Sequence, residues 1–218
     1  MSKTSLQRAI IKDIMSTITV LRTEGLLRDE NGISESKSGN DLTCLTYSGK
    51  NDSCKIIYDK HISSTDLIAE LLKNQQYTIL FYDKSLVQAE FILNKDGVVK
   101  ERLVFMKKHN KLWNAAEIQE DEAEDIDWFE EEEGIPTILR IDFAPDDQID
   151  LSHPASHLTL SNHECCRIPI KSAVTFSEFI RFILFHFYNK ELPLARFQFN
   201  MDDTITSREK KSIHINWE

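Results

Sequence analysis

Near the N-terminus the apolar residues Leu6, Ile10, Ile14, Ile18 and Leu21 return every three to four positions, the repeat of one helical face. Thr4 with Gln7 supplies a capping-box start and Gly25 a stop, so the spacing predicts a helix over 5–24 within an N-terminal element of residues 1–25. The stretch 31–51 loses the repeat. It is rich in Ser, Gly, Asn and Lys, with one apolar patch over 42–47, and predicts a loop with one weak strand. A strand over 55–58 and a short helix over 65–73 follow.

From Tyr77 the period becomes two. The segments YTILFY, SLVQAEFIL and VVKERLVFM predict an antiparallel meander, turned at Asp83-Lys84 and at Asn94-Lys95-Asp96-Gly97. Alternation places Val87, Ala89, Phe91 and Leu93 on one face and Gln88 and Glu90 on the other. In the same way Leu103 and Phe105 oppose Lys100 and Arg102, Leu139, Ile141 and Phe143 oppose Arg140 and Asp142, and Leu158 and Leu160 oppose His157 and Thr159. One apolar and one charged face fit an antiparallel sheet covered on one side by helices better than a parallel sheet, whose strands would be apolar throughout. The fold class is α+β, a single domain over 1–218 without an internal repeat.

A last helix is predicted at 176–189, opened by the capping box of Thr175 and Glu178. Phe179, Ile180, Ile183 and Phe187 share the face that should cover the sheet. Phe185 and Tyr188 project on the side expected to be wet, so either the helix is buried on two sides, the commoner arrangement for a helix apolar all round, or the two are interface residues.

Charge alters this picture in one place. The formal net charge of -10 is concentrated in residues 117–133, which hold 11 acidic residues and no Lys or Arg, so the rest of the chain is nearly neutral. Such a block repels itself, and an insertion over 117–134 reads as a solvated, mobile loop. Trp128, set among the acids, gives it a second reading as a docking segment for a basic partner. The N-terminal apolar stretch is interrupted by Lys12 and Asp13, and the most apolar helix by Arg181 and His186, so neither a signal peptide nor a membrane span is expected. Cys44, Cys54, Cys165 and Cys166 make no disulfide framework in a chain of this size. A cytoplasmic protein is expected.

Three groups of residues could carry chemistry. His153, His157, His163 and Cys165 are metal-ligand types crowded into one short stretch, but their spacing differs from the paired short-range patterns of zinc sites; no metal and no cofactor is expected. His157-Leu158-Thr159-Leu160 and His214-Ile215-Asn216-Trp217 resemble the paired His-apolar-Ser/Thr-apolar motifs of two-histidine phosphoesterases, in which facing imidazoles serve as acid and base; Asn216 departs from the pattern. The polar sheet face itself gathers Arg140, Asp142, His157, Thr159 and Arg167, with Lys100, Arg102 and Glu90 nearby, a set suited to a phosphate, a nucleotide or an acidic peptide. Gly-rich phosphate loops, H-E-x-x-H, G-x-S-x-G and paired C-x-x-C motifs are absent from the sequence.

The segments SLVQAEF, HPASHLTL, CRIPI and FIRFILFHFYN, followed by SIHINW, resemble a family of uncharacterised bacterial proteins, a domain of unknown function. The resemblance runs from about Tyr77 to Trp217 and matches the N-terminal third and the acidic insertion poorly. It implies a bacterial cytosolic protein and transfers no catalytic role; association with defence loci would imply an accessory part. The reading is a macromolecule-binding protein, an accessory or regulatory subunit of a defence or toxin-control system, whose partner is a protein, either basic or a larger effector subunit, and not duplex nucleic acid or membrane. The alternative is a phosphoesterase or nuclease-type hydrolase using His157 and His214. Oligomeric state is left open.

Overall fold

The computed structural model describes residues 5–38, 41–47, 63–107, 136–160, 166–199 and 201–216. Its centre is an antiparallel sheet of nine strands: β1 (Leu27–Glu30), β2 (Ile33–Ser38), β3 (Leu42–Tyr47), β4 (Ile79–Phe81), β5 (Leu86–Leu93), β6 (Val98–Lys107), β7 (Thr137–Phe143), β8 (Ser156–Leu160) and β9 (Arg167–Pro169). Strands β4 to β6 form the predicted meander, β7 to β9 continue it in sequence order, and β1 adds to β4. The sheet branches at β5, where β4 pairs with Val87 and Leu86, and β3 pairs with Glu90 to Leu93 on the same edge. Ala89 falls in the gap between them. Two buried threonines fill it: the Ala89 N–H donates to Thr78 Oγ1 at 2.9 Å, and Thr46 Oγ1 donates to the Ala89 carbonyl at 3.1 Å. Buried backbone groups that the ladder leaves open are thus satisfied by side chains.

On one face, Val87, Ala89, Phe91, Leu93, Leu103, Phe105, Leu139, Ile141, Phe143 and Leu158 form the main core with two helices. Helix α1 (Ser5–Thr23) contributes Ile10, Ile14, Ile18 and Leu21, the spacing read from the sequence. The C-terminal helix Phe176–Tyr188 contributes Phe176, Phe179, Ile180, Ile183 and Leu184, and its capping box of Thr175 and Glu178 is formed. Burial of such side chains, about 1.5–3 kcal/mol each, is the main stabilising term.

The opposite face is divided. At one end Leu80, Leu86, Val104, Met106 and Ile138 make a second apolar cluster, covered by Leu67, Ile68 and Leu71 of helix α2 (Ser64–Lys73). Helices therefore lie on both sides of the sheet, α1 and the C-terminal helix, α3, on one and α2 on the other. The rest of this face carries the polar side chains that alternation assigned to it.

The apolar patch over 42–47 forms the one strand expected in this stretch, β3, while Ile33 to Ser38 depart from the loop expectation by pairing with Tyr47 to Leu42 as β2. An outer strand with little to bury needs no apolar alternation, and composition alone reads it as loop. Thr4, the strand expected over 55–58, and the acidic insertion at 117–134 lie outside the described residues. No described helix is long and apolar enough to cross a membrane.

Candidate functional site

Strand register arranges the polar face in rows. One row runs Glu90, Arg102, Asp142, His157 across β5 to β8; the next runs Gln88, Val104, Arg140, Thr159, Arg167 across β5 to β9. These rows floor a basin of about 180 Å³ lined by Arg102, Arg140, Asp142, His157 and Arg167 and by His153 and Lys100. All five sheet residues named from the sequence, Arg140, Asp142, His157, Thr159 and Arg167, thus stand together on one face.

Asp142 is the electrostatic centre. Arg102 Nε donates to its Oδ1 at 2.8 Å and Arg140 Nε to its Oδ2 at 2.5 Å. Burial pushes its pKa up, but the two guanidiniums outweigh burial and hold the carboxyl below its ordinary value. The lining also holds Glu90, Glu101 and Asp147, so four carboxyl groups stand with the four cations Lys100, Arg102, Arg140 and Arg167. Lys100 is paired with Asp147 at the rim, at 2.9 Å.

His157 is buried, but against this polar row and not in the apolar core. Its Nδ1 lies 2.9 Å from the Pro154 carbonyl, which can only accept, so Nδ1 carries the proton and Nε2, 3.8 Å from Asp142 Oδ2, is the bare nitrogen of the neutral ring. Burial first, and then the nearby His153 and Arg167, bring its pKa down to about 4 against the support of Pro154 and Asp142. A ring so weakly basic is a poor proton acceptor at neutral pH.

His153 reaches the basin from the turn between β7 and β8, where Ile149 and His153 exchange backbone hydrogen bonds at 2.8 and 2.7 Å and Leu151 takes a left-handed φ of 67°. Its ring stands edge-on to His157, with centroids 4.9 Å apart. Arg167 Nη1 donates to the carbonyl of Ser152, the residue before it, at 3.1 Å. Three buried polar atoms of this corner have no hydrogen-bond partner: His153 Nδ1, Thr159 Oγ1 and Arg167 Nε.

His214 is not among the basin residues; its Nδ1 lies 3.0 Å from the Ser212 carbonyl, in the C-terminal segment that bridges Ile170 through Ile215. The two histidines of the phosphoesterase pattern therefore do not share the basin. Among the described residues no group of three or more His, Cys, Asp or Glu is placed to hold a metal, and His163, Cys165 and Trp128 lie outside them.

The aromatic pair of α3 divides. Phe185 is 49% exposed. Tyr188 is half-buried and turned into the fold: its ring packs on Phe81 and Phe105, its hydroxyl donates to Asp83 Oδ2 at 2.8 Å, and Lys107 Nζ lies 4.3 Å from its ring centroid while pairing with Asp83 at 3.2 Å. Tyr188 thus follows the first of the two readings left open for it, a helix packed on a second side, and it sits one turn after the buried Leu184. Beside Phe185 lies a groove of about 580 Å³ between α3 and the chain's C-terminal part, with Phe182, Leu192, Leu194 and Ile215 among its apolar lining and Glu178, Arg181, Glu191 and Arg196 among its charges. Phe182 and Phe185 flank His186 at centroid distances of 4.5 and 5.0 Å.

Fold and surface together define an α+β protein with a helix-covered core, a polar basin on the opposite sheet face and an aromatic groove along its last helix. The chain belongs to the family of uncharacterized conserved proteins DUF2290, whose model matches residues 26–217. The match takes in residues 26–76, where the sequence resemblance was poor, and leaves α1 outside. No curated protein and no solved structure matches the chain.

Proposed function

We propose that this chain works by binding another macromolecule in the bacterial cytoplasm, as an accessory or regulatory subunit of a defence or toxin-control system, and that a protein partner docks in the groove beside α3. Phe185 carries the reading. It is the large aromatic left 49% exposed on a helix whose Phe176 and Phe179 are buried, and exposed aromatics beside an apolar groove with a charged rim are the usual anchors of a protein interface. The acidic run at 117–133 supplies long-range attraction for a basic surface of that partner. The alternative, a phosphoesterase or nuclease-type hydrolase using His157 and His214, has less behind it, since His157 is weakly basic and His214 stands outside its basin.

The test is recovery of the tagged protein at native expression level, wild type beside Phe185→Ser. A stoichiometric protein partner that is lost with the serine variant, while the variant stays folded, supports the reading. A partner retained undiminished by Phe185→Ser overturns the assignment to this groove.

A further inference from the structure

The three unpartnered atoms are held by separate pieces of the chain, His153 and Arg167 in the lining of the basin and Thr159 buried beside Arg167 on the next strand. Thr159 and Arg167 are direct cross-strand partners on β8 and β9, and Arg167 reaches over to the carbonyl of Ser152, beside His153. One corner thus holds the unused groups His153 Nδ1, Thr159 Oγ1 and Arg167 Nε. Thr159 is fully buried. A buried hydroxyl, ring nitrogen or guanidinium N–H without a partner costs about 1–3 kcal/mol, and native proteins leave few such groups unexplained. Three together mark a place where something is meant to accept their hydrogen bonds.

Charge gives the class of that acceptor. Asp142 is already shared by Arg102 and Arg140, and the Arg167 contact in the structure is a neutral carbonyl. Among the described residues Arg167 is a cation of the basin that pairs with no carboxylate. A planar carboxylate offers two oxygens, whereas three donors from a turn and two strands fit the several oxygens of a tetrahedral anion, which guanidinium groups also favour.

We infer that the corner formed by His153, Thr159 and Arg167 is a binding site for a phosphate group, with Arg167 supplying the charge. A dianion there accepts from Arg167 Nε and Thr159 Oγ1 and from His153 in the tautomer that carries its proton on Nδ1. The site lies on the opposite sheet face from the α3 groove and does not depend on a partner docking there.

The test is calorimetric titration of the full chain with inorganic phosphate, against chloride at matched ionic strength and against acetate. Saturable binding of phosphate, stronger than acetate and absent with chloride, is expected. Arg167→Met should weaken it about tenfold, the factor carried by one charge-assisted hydrogen bond. Thr159→Val is the sharper variant: the hydroxyl has no partner in the free protein, so its removal leaves the unfolding midpoint unchanged or raised while phosphate affinity falls. Equal affinity in wild type and Arg167→Met, a preference for acetate, or no saturable response overturns the inference; in the last case the three atoms serve ordered water.

Discussion

Replacing Asp142 by asparagine keeps the shape of the basin and removes its one shared negative charge. The side chain is 12% exposed and its partners Arg140 and Arg102 are 8% and 21% exposed, so solvent can compensate only in part. With charges about 4 Å apart and an effective dielectric of about 20, each Asp142-Arg pair has a gross attraction of about 4 kcal/mol. Desolvating the carboxylate cancels several kcal/mol of that sum, and the amide oxygen of asparagine still accepts from one arginine. A net loss of about 3 kcal/mol remains, in the range for a buried pair with one member removed. The assay is urea unfolding of wild type and Asp142→Asn at neutral pH, with slopes compared to confirm a common denatured state. Acidification gives an internal check: the folded-state pKa of Asp142 lies below its ordinary 3.8, so its contribution is present above that value and is lost as pH falls through the folded value. The difference between the two proteins should be constant near neutrality and shrink in acid below 3.8. A loss under about 1 kcal/mol, the level of an exposed pair, would refute the reasoning.

Two further predictions concern buried groups. Asp83→Ala should cost about 3–5 kcal/mol because it strands the buried ammonium of Lys107, whereas Tyr188→Phe, which keeps the ring on Phe81 and Phe105, should cost only about 1–2 kcal/mol; equal losses in urea unfolding would contradict the assignment of Tyr188 to this network. His157, with a folded-state pKa lowered from 6.5 to about 4, contributes stability above 6.5 that is lost as pH falls toward 4, on the order of 3 kcal/mol, so His157→Gln should flatten the acid side of the stability profile, and parallel profiles would count against it.

How much of this was legible in the sequence depended on whether a residue's neighbours are local. Val87, Ala89, Phe91 and Leu93 declare the core face because side-chain direction in a strand is fixed by the period of two, and the same rule placed Arg140, Asp142, His157 and Thr159 together. Which of them face each other is set by register, and the pairing of Asp142 with both Arg102 and His157 depends on the connections that join β6, β7 and β8. His153 comes into the basin through a turn at Leu151 whose left-handed φ no residue pattern announces. The second apolar cluster did leave a trace: Leu86, Val104, Met106 and Ile138 are apolar where alternation calls for polar residues, and α2 is what covers them. A helical wheel left Tyr188 open between a second packed side and an interface because it ignores Asp83, a residue distant in sequence that draws its hydroxyl inward.

Docking of a protein partner in the groove at Phe185 is the proposal on which the function rests. Its most direct measurement is titration of the purified partner into wild type and Phe185→Ala, with both unfolding midpoints recorded beforehand. An exposed anchor contributes little to the fold and much to the complex, so the midpoints should agree while affinity falls about 30-fold, the roughly 2 kcal/mol of a buried interface aromatic. Unchanged affinity with both proteins folded would contradict the account.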